Sequence, residues 1–79
     1  MARVKIYISP KQGIHDPQGQ ATENALRHLG FDSTSKVRIG KYITLEVKNG
    51  TSKEDIEEMC KKLLANPIIE DYSFEVSTD

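Results

Sequence analysis

Apolar and polar residues alternate from Arg3 to Ile8: Val4, Ile6 and Ile8 fall on one side, Arg3, Lys5 and Tyr7 on the other. A period of two predicts a half-buried strand over 3–8. Pro10 and Gly13 break the run that follows. Asp16-Pro17 then opens a helix, with an N-cap carboxylate and a proline suited to the first helical position. Ala21, Ala25, Leu26 and Leu29 recur at helical spacing, and Gly30 is a natural stop. Because that stripe is largely alanine, the helix can lie close to whatever it packs on. Two short strands are expected next, Val37–Ile39 and Tyr42–Lys48, the second alternating Ile43, Leu45 and Val47 with Tyr42, Thr44 and Glu46. Gly40-Lys41 between them reads as a tight hairpin or a bulge, with glycine supplying a positive φ.

Asn49-Gly50 ends that strand. Thr51 or Ser52 caps a second helix, with Glu54 or Asp55 following as in a capping box. Ile56, Met59, Cys60, Leu63 and Leu64 fall at i, i+3, i+4, i+7 and i+8, the clearest helical signal in the chain. Asn66-Pro67 stops it. A last strand over Ile68–Val76 points Tyr72, Phe74 and Val76 one way and Asp71, Ser73 and Glu75 the other. Strand, helix, strand, strand, helix, strand with two right-handed crossovers predicts an α+β, ferredoxin-like βαββαβ domain: a four-stranded antiparallel sheet with both helices on one face. The opposite face carries Arg3, Lys5, Tyr7, Arg38 and Tyr42. It is either wet or packed on a second copy, since tyrosine and arginine are enriched at interfaces.

Length sharpens the picture. The 79 residues form one domain, 1–79, and a core this small rarely contributes more than about 3–5 kcal/mol. The single cysteine, Cys60, permits no intrachain disulfide, and His15, His28 and Cys60 lack the tight spacing of metal ligands. Assembly with other chains is the remaining source of stability. Eleven basic against twelve acidic residues leave no excess or stripe of charge for nucleic acid. No stretch approaches the apolar length of a membrane span or signal peptide. The lone thiol and the missing export signal point to the cytoplasm, so the sequon at Asn49 carries no meaning.

Candidate chemistry fails site by site. Cys60 lies mid-stripe, where an inert buried thiol is expected. His28 suits the helix C-terminus, and His15 sits in a loop with no identified proton-transfer partner. Gly40-Lys41 resembles the end of a phosphate loop, but Ser35 stands where a glycine is needed and Tyr42 where Ser or Thr is. Glu57 and Glu58 pair with Lys61 and Lys62 across a solvated helix face. The stretch Asp16-Pro17-Gln18-Gly19 is different. Gly19 inside the first turn costs up to about 1 kcal/mol against alanine, so a backbone or a ligand such as an anion comes close there.

The stretches Asp16-Pro17-Gln18-Gly19, Val37-Arg38-Ile39-Gly40-Lys41-Tyr42, Glu58-Met59-Cys60-Lys61-Lys62-Leu63-Leu64-Ala65-Asn66 and Ile69-Glu70-Asp71-Tyr72 together resemble the PurS family, as does the opening strand Val4–Ile8. The resemblance spans almost the whole chain. Two positions depart from it: His15 and Thr34 stand where the family commonly has apolar residues. The resemblance implies the smallest subunit of phosphoribosylformylglycinamidine synthase, a glutamine- and ATP-dependent carbon–nitrogen ligase of purine biosynthesis. It implies a chain with no active site or cofactor of its own, which joins the large synthetase subunit to the glutaminase subunit and helps ammonia pass between them. It also implies a homodimer or higher homo-oligomer. The expected partner-binding residues are Asp16, Pro17, Gln18 and Gly19 at the first helix start, and Arg38, Gly40, Lys41 and Tyr42. Arg38 and Lys41 offer charge-assisted contacts to partner carboxylates. The competing expectation is a stand-alone ferredoxin-like regulatory or small-ligand-binding domain.

Overall fold

The computed structural model describes residues 1–78. Three strands make one antiparallel sheet: β1 (Ala2–Pro10), β2 (Lys41–Val47) and β3 (Glu70–Thr78), in the order β2-β1-β3. The helices are α1 (Pro17–His28) and α2 (Lys53–Met59), the latter continued by one π-helical turn over Cys60–Leu64. The register stacks apolar residues in rows on one face. Val4 lies between Leu45 and Val76, and Ile6 between Ile43 and Phe74. α2 covers the middle of this face with Ile56 and Cys60, and Val4, Ile6, Ile56 and Cys60 are fully buried. At roughly 25 cal/mol per Å² such a cluster is the main favourable term in this fold. The flanking Ile43, Leu45, Val47, Tyr72 and Phe74 are only half-buried.

Local signals act as the sequence predicts. Ser52 Oγ accepts from the Asp55 N–H at 3.1 Å, so Ser52 is the cap of α2 and Thr51 is not. After α1, Gly30 adopts φ 96°. Its N–H bonds the Arg27 carbonyl, and the Phe31 N–H reaches back to Leu26. That pair of bonds is the Schellman closure, which needs a left-handed residue. Glu57–Lys61 and Glu58–Lys62 form the expected ion pairs, at 3.9 and 3.1 Å. The π turn alters one expectation. The Ala65 N–H bonds Cys60 O at 2.8 Å, five residues back, so the buried face passes from Cys60 to Ala65. Leu63, a member of the predicted stripe, is left 83% exposed.

The four-stranded, ferredoxin-like arrangement is corrected to an α+β fold with a three-stranded sheet. Val37–Ile39 pairs with no strand, because carboxylates at the N-cap and on the first turns of α1 take its N–H groups: Ile39 N–H donates to Asp16 Oδ2 at 2.8 Å, and Val37 N–H to Glu23 Oε1 at 3.2 Å. There is accordingly no hairpin at Gly40, which is not among the positive-φ residues. The expectation of both helices on the sheet is also corrected. Residues 11–40 leave and rejoin the sheet at one end, where Ile8 pairs with Lys41, and α1 packs on its own return segment. This arm extends the long axis to 49 Å, against 28 and 14 Å for the other two.

A candidate docking site at the arm junction

The two segments singled out from sequence meet in space. Gly19 is the one buried residue of α1. A Cβ there would collide with the Val37 carbonyl oxygen and the Asp16 carboxylate, so α1 can approach the return segment only because residue 19 has no side chain. The close backbone expected at Gly19 is therefore the chain's own. A Cβ on Gly40 would likewise collide with the Ile8 carbonyl. Gly40 is needed for contact with β1 and not for a turn.

Asp16 sits at the N-cap but bonds across the junction. Its Oδ2 holds the Ile39 N–H, while the N–H groups of Gly19 and Gln18 face the same carboxylate without meeting hydrogen-bond geometry. These donors, Ile39 first and then Gly19, hold the carboxyl below the ordinary aspartate range, and the Arg38 charge adds to them. Arg38 has a task within the chain. Its guanidinium donates to the Ile14 carbonyl at 2.9 Å and the Lys11 carbonyl at 3.0 Å, tying the loop after β1 to the return segment. Lys41 lies 3.6 Å from Glu70 across the sheet end, and Lys11 lies 2.7 Å from Asp71. Pro17, Gln18 and the Lys41 side chain remain exposed.

Tyr42 is not part of this junction. It stands on the opposite sheet face, stacked on Tyr7 with ring centroids 5.3 Å apart and an interplanar angle of 28°. Burial pushes the Tyr7 phenol up, and the Glu75 carboxylate pushes it the same way. Beside the arm, a cleft of about 630 Å³ is lined by His15, Asp16, Glu23, Lys36, Arg38 and Asp71 among others. Sequence reasoning gave no role to Glu23 or Lys36. Glu23 carried one signal, an i, i+4 spacing from Gly19 on the face opposite the alanines. Lys36 carried none, and it adopts a φ of 56° where the chain enters the return segment. Among the described residues no three His, Cys, Asp or Glu side chains could together hold a metal ion, and no helix is long and apolar enough to cross a membrane. Cys60 is buried, and that burial, with the Glu57 charge behind it, raises its thiol above the usual range.

Comparison with known proteins places this geometry. Residues 3–78 match the family model PurS, described as phosphoribosylformylglycinamidine (FGAM) synthase. The phosphoribosylformylglycinamidine synthase subunit PurS of Bacillus subtilis is 45% identical, over 96% of this chain and 93% of that one. The crystal structure of B. subtilis PurS in its C2 form matches with a TM-score of 0.90 at 44% identity, covering 99% and 100% of the two chains. Methanocaldococcus jannaschii PurS, described as one of the subunits of formylglycinamide ribonucleotide amidotransferase in the purine biosynthetic pathway, matches at 0.86 and 38% identity over 100% and 99%. With the match running end to end in both sequence and fold, the chain belongs to the PurS family.

Proposed function

We propose that the chain is the small subunit of a phosphoribosylformylglycinamidine synthase in purine biosynthesis. In this reading it is a single unit over residues 1–79, works in the cytoplasm as a homodimer or higher homo-oligomer, and has no active site or cofactor of its own. It joins the glutaminase subunit to the ATP-dependent synthetase subunit and assists ammonia transfer between them. The observation that carries the reading is the full-length match to PurS relatives, two of them named as subunits of such an enzyme.

The junction supplies the physical counterpart. Asp16, Gly19, Arg38 and Gly40 are consumed in holding the arm to the sheet end. That leaves Pro17, Gln18 and Lys41 presented on a fixed backbone, as docking requires. Arg38 then acts as a positioning residue, while Lys41 remains available to partner carboxylates. Tyr42 contributes from the other sheet face. The test is reconstitution. Glutamine-dependent turnover by the purified synthetase and glutaminase subunits should require this chain, whereas ammonia-dependent turnover should not. Equal glutamine-dependent turnover with and without it would refute the bridging role.

The cleft beside the arm favours a second reading, a stand-alone domain that binds a small ligand among His15, Lys36 and Arg38. A thermal-shift screen with nucleotides and amino acids separates the two readings. A large shift with one metabolite, and no interaction with either subunit, would favour the second.

A further inference from the structure

The sequence holds three asparagines, and the fold gives them three different surroundings. Asn24 lies inside α1, where its side-chain oxygen accepts from Gln20 Nε2 at 3.2 Å and the following amide belongs to the helix ladder. Asn66 accepts from the Ile68 N–H at 3.1 Å through its side-chain oxygen, and Pro67 after it has no N–H. Asn49 lies between Val47, the last residue of β2, and Ser52, the cap of α2. It is exposed, and its side chain takes part in no hydrogen bond among the described residues.

The turn around Asn49 leaves the next amide open. The Thr51 N–H and Thr51 Oγ1 both donate to the Lys48 carbonyl, at 3.1 and 2.7 Å, which closes the turn Lys48–Thr51 with Asn49 and Gly50 at its centre. Gly50 has φ 89°, and Asn49 is not among the positive-φ residues. That is the pattern of a type II turn, whose central amide, here the Gly50 N–H, makes no bond within the turn. Gly50 has no side chain, and the space where a Cβ would stand is empty, so nothing crowds this peptide as it rotates. An amide nitrogen and a side-chain carbonyl carbon thus sit one five-membered ring apart, both open to water.

We propose that Asn49 is a site of self-modification: the Gly50 nitrogen attacks the Asn49 side-chain carbonyl, and the residue leaves the resulting cyclic imide as aspartate or isoaspartate. The step balances without a cofactor. Gly50 N gives up its proton and bonds Asn49 Cγ, the Cγ–Nδ2 bond breaks, and the side-chain nitrogen departs as ammonia. Water then opens the imide. Opening at Cγ gives aspartate; opening at the main-chain carbonyl gives isoaspartate, in which the backbone runs through Cβ and Cγ. Nothing is oxidised or reduced. Either product adds one negative charge to a chain of net charge -1. The isoaspartyl product also inserts one carbon into the connection from β2 to α2, between the Ala2–Val47 pairing at the sheet end and the Ser52–Asp55 cap bond. The inference is independent of the subunit reading.

The test holds the purified full chain warm at mildly alkaline pH and follows it by isoelectric focusing. Cleavage after Glu46 and Glu54 releases the fragment 47–54, whose mass, and whose methylation by an isoaspartyl O-methyltransferase, locate the change. The expected result is an acidic species that accumulates with time and carries both the amide-to-acid mass gain and the methyl label in that fragment. Asn49→Gln leaves the Gly50 backbone as it is but demands a six-membered ring, and should slow accumulation about tenfold or more. Gly50→Ala should slow it as well, because a Cβ restricts the rotation that brings nitrogen to carbon. A synthetic 46–54 peptide that loses its amide while the folded chain keeps it would overturn the proposal, since the turn would then be protecting Asn49. So would a mass gain at Asn24 or Asn66, or an acidic species whose rate Asn49→Gln leaves unchanged. The isoaspartyl fraction should melt below Asn49→Asp, which has the same charge and an ordinary backbone; equal melting would overturn the effect on the β2–α2 connection.

Discussion

Replacing Gly19 with alanine gives opposite signs under two accounts of α1. In an ordinary exposed helix the change is favourable by up to about 1 kcal/mol, because glycine is the poorer helix former. Here the new methyl would meet the Val37 carbonyl oxygen and the Asp16 carboxylate. The Val37 oxygen belongs to a backbone held on both sides, by Glu23 at Val37 N–H and by Asp16 at Ile39 N–H. It cannot step aside without breaking those bonds. Overpacking of this kind costs about 1–3 kcal/mol, which exceeds the propensity gain, so Gly19→Ala should be net destabilising by roughly 1–2 kcal/mol. For a domain of this length that lowers Tm by about 4–8 °C per kcal/mol. Calorimetry reads the global effect. Amide hydrogen exchange reads the local one, as lost protection at Val37 and Ile39. Asn24→Gly serves as the control at an exposed position of the same helix, where the propensity loss is the main effect. If Gly19→Ala raises Tm and leaves Val37 and Ile39 protected, the account of the junction is wrong.

The Asp16 carboxyl titrates below the ordinary aspartate value in the folded chain, so its contribution to the junction is complete above about pH 4 and lost as pH falls through the lower folded value. The Ile39 amide resonance followed by NMR should report that acid transition and should lose it in Asp16→Asn. Arg38→Lys should loosen the loop after β1, because one ammonium on a flexible stem does not reproduce the fork that spans the Ile14 and Lys11 carbonyls; faster proteolysis near Gly13 checks this. Cys60 should resist alkylation in the folded chain and react once unfolded. Ile56→Ala should cost about 2–5 kcal/mol, a large fraction of the stability of so small a domain, and chemical denaturation measures it.

Residues whose partners are close along the chain were legible from the sequence. The alternation of Val4, Ile6 and Ile8 fixes β1, the run Ile56–Cys60 fixes the buried face of α2, and Gly30, Ser52 and Asn66-Pro67 mark helix ends, because periodicity, capping and positive φ are local properties. The importance of Gly19 was legible as a misplaced glycine, and the family as an ordered set of short motifs. What the sequence alone could not decide was where non-local donors and apolar faces find partners. Val37–Ile39 has strand-forming residues, yet its N–H groups go to two carboxylates of α1, one of them 23 residues away at Asp16, and no local pattern encodes that choice. Arg38 is spent within the chain for the same reason. The π turn displaces Leu63 from the core through a single slipped hydrogen bond. The stripe on α1 was read correctly as apolar and wrongly as packed on its own sheet, because periodicity shows that a face must be covered and says nothing about which surface covers it.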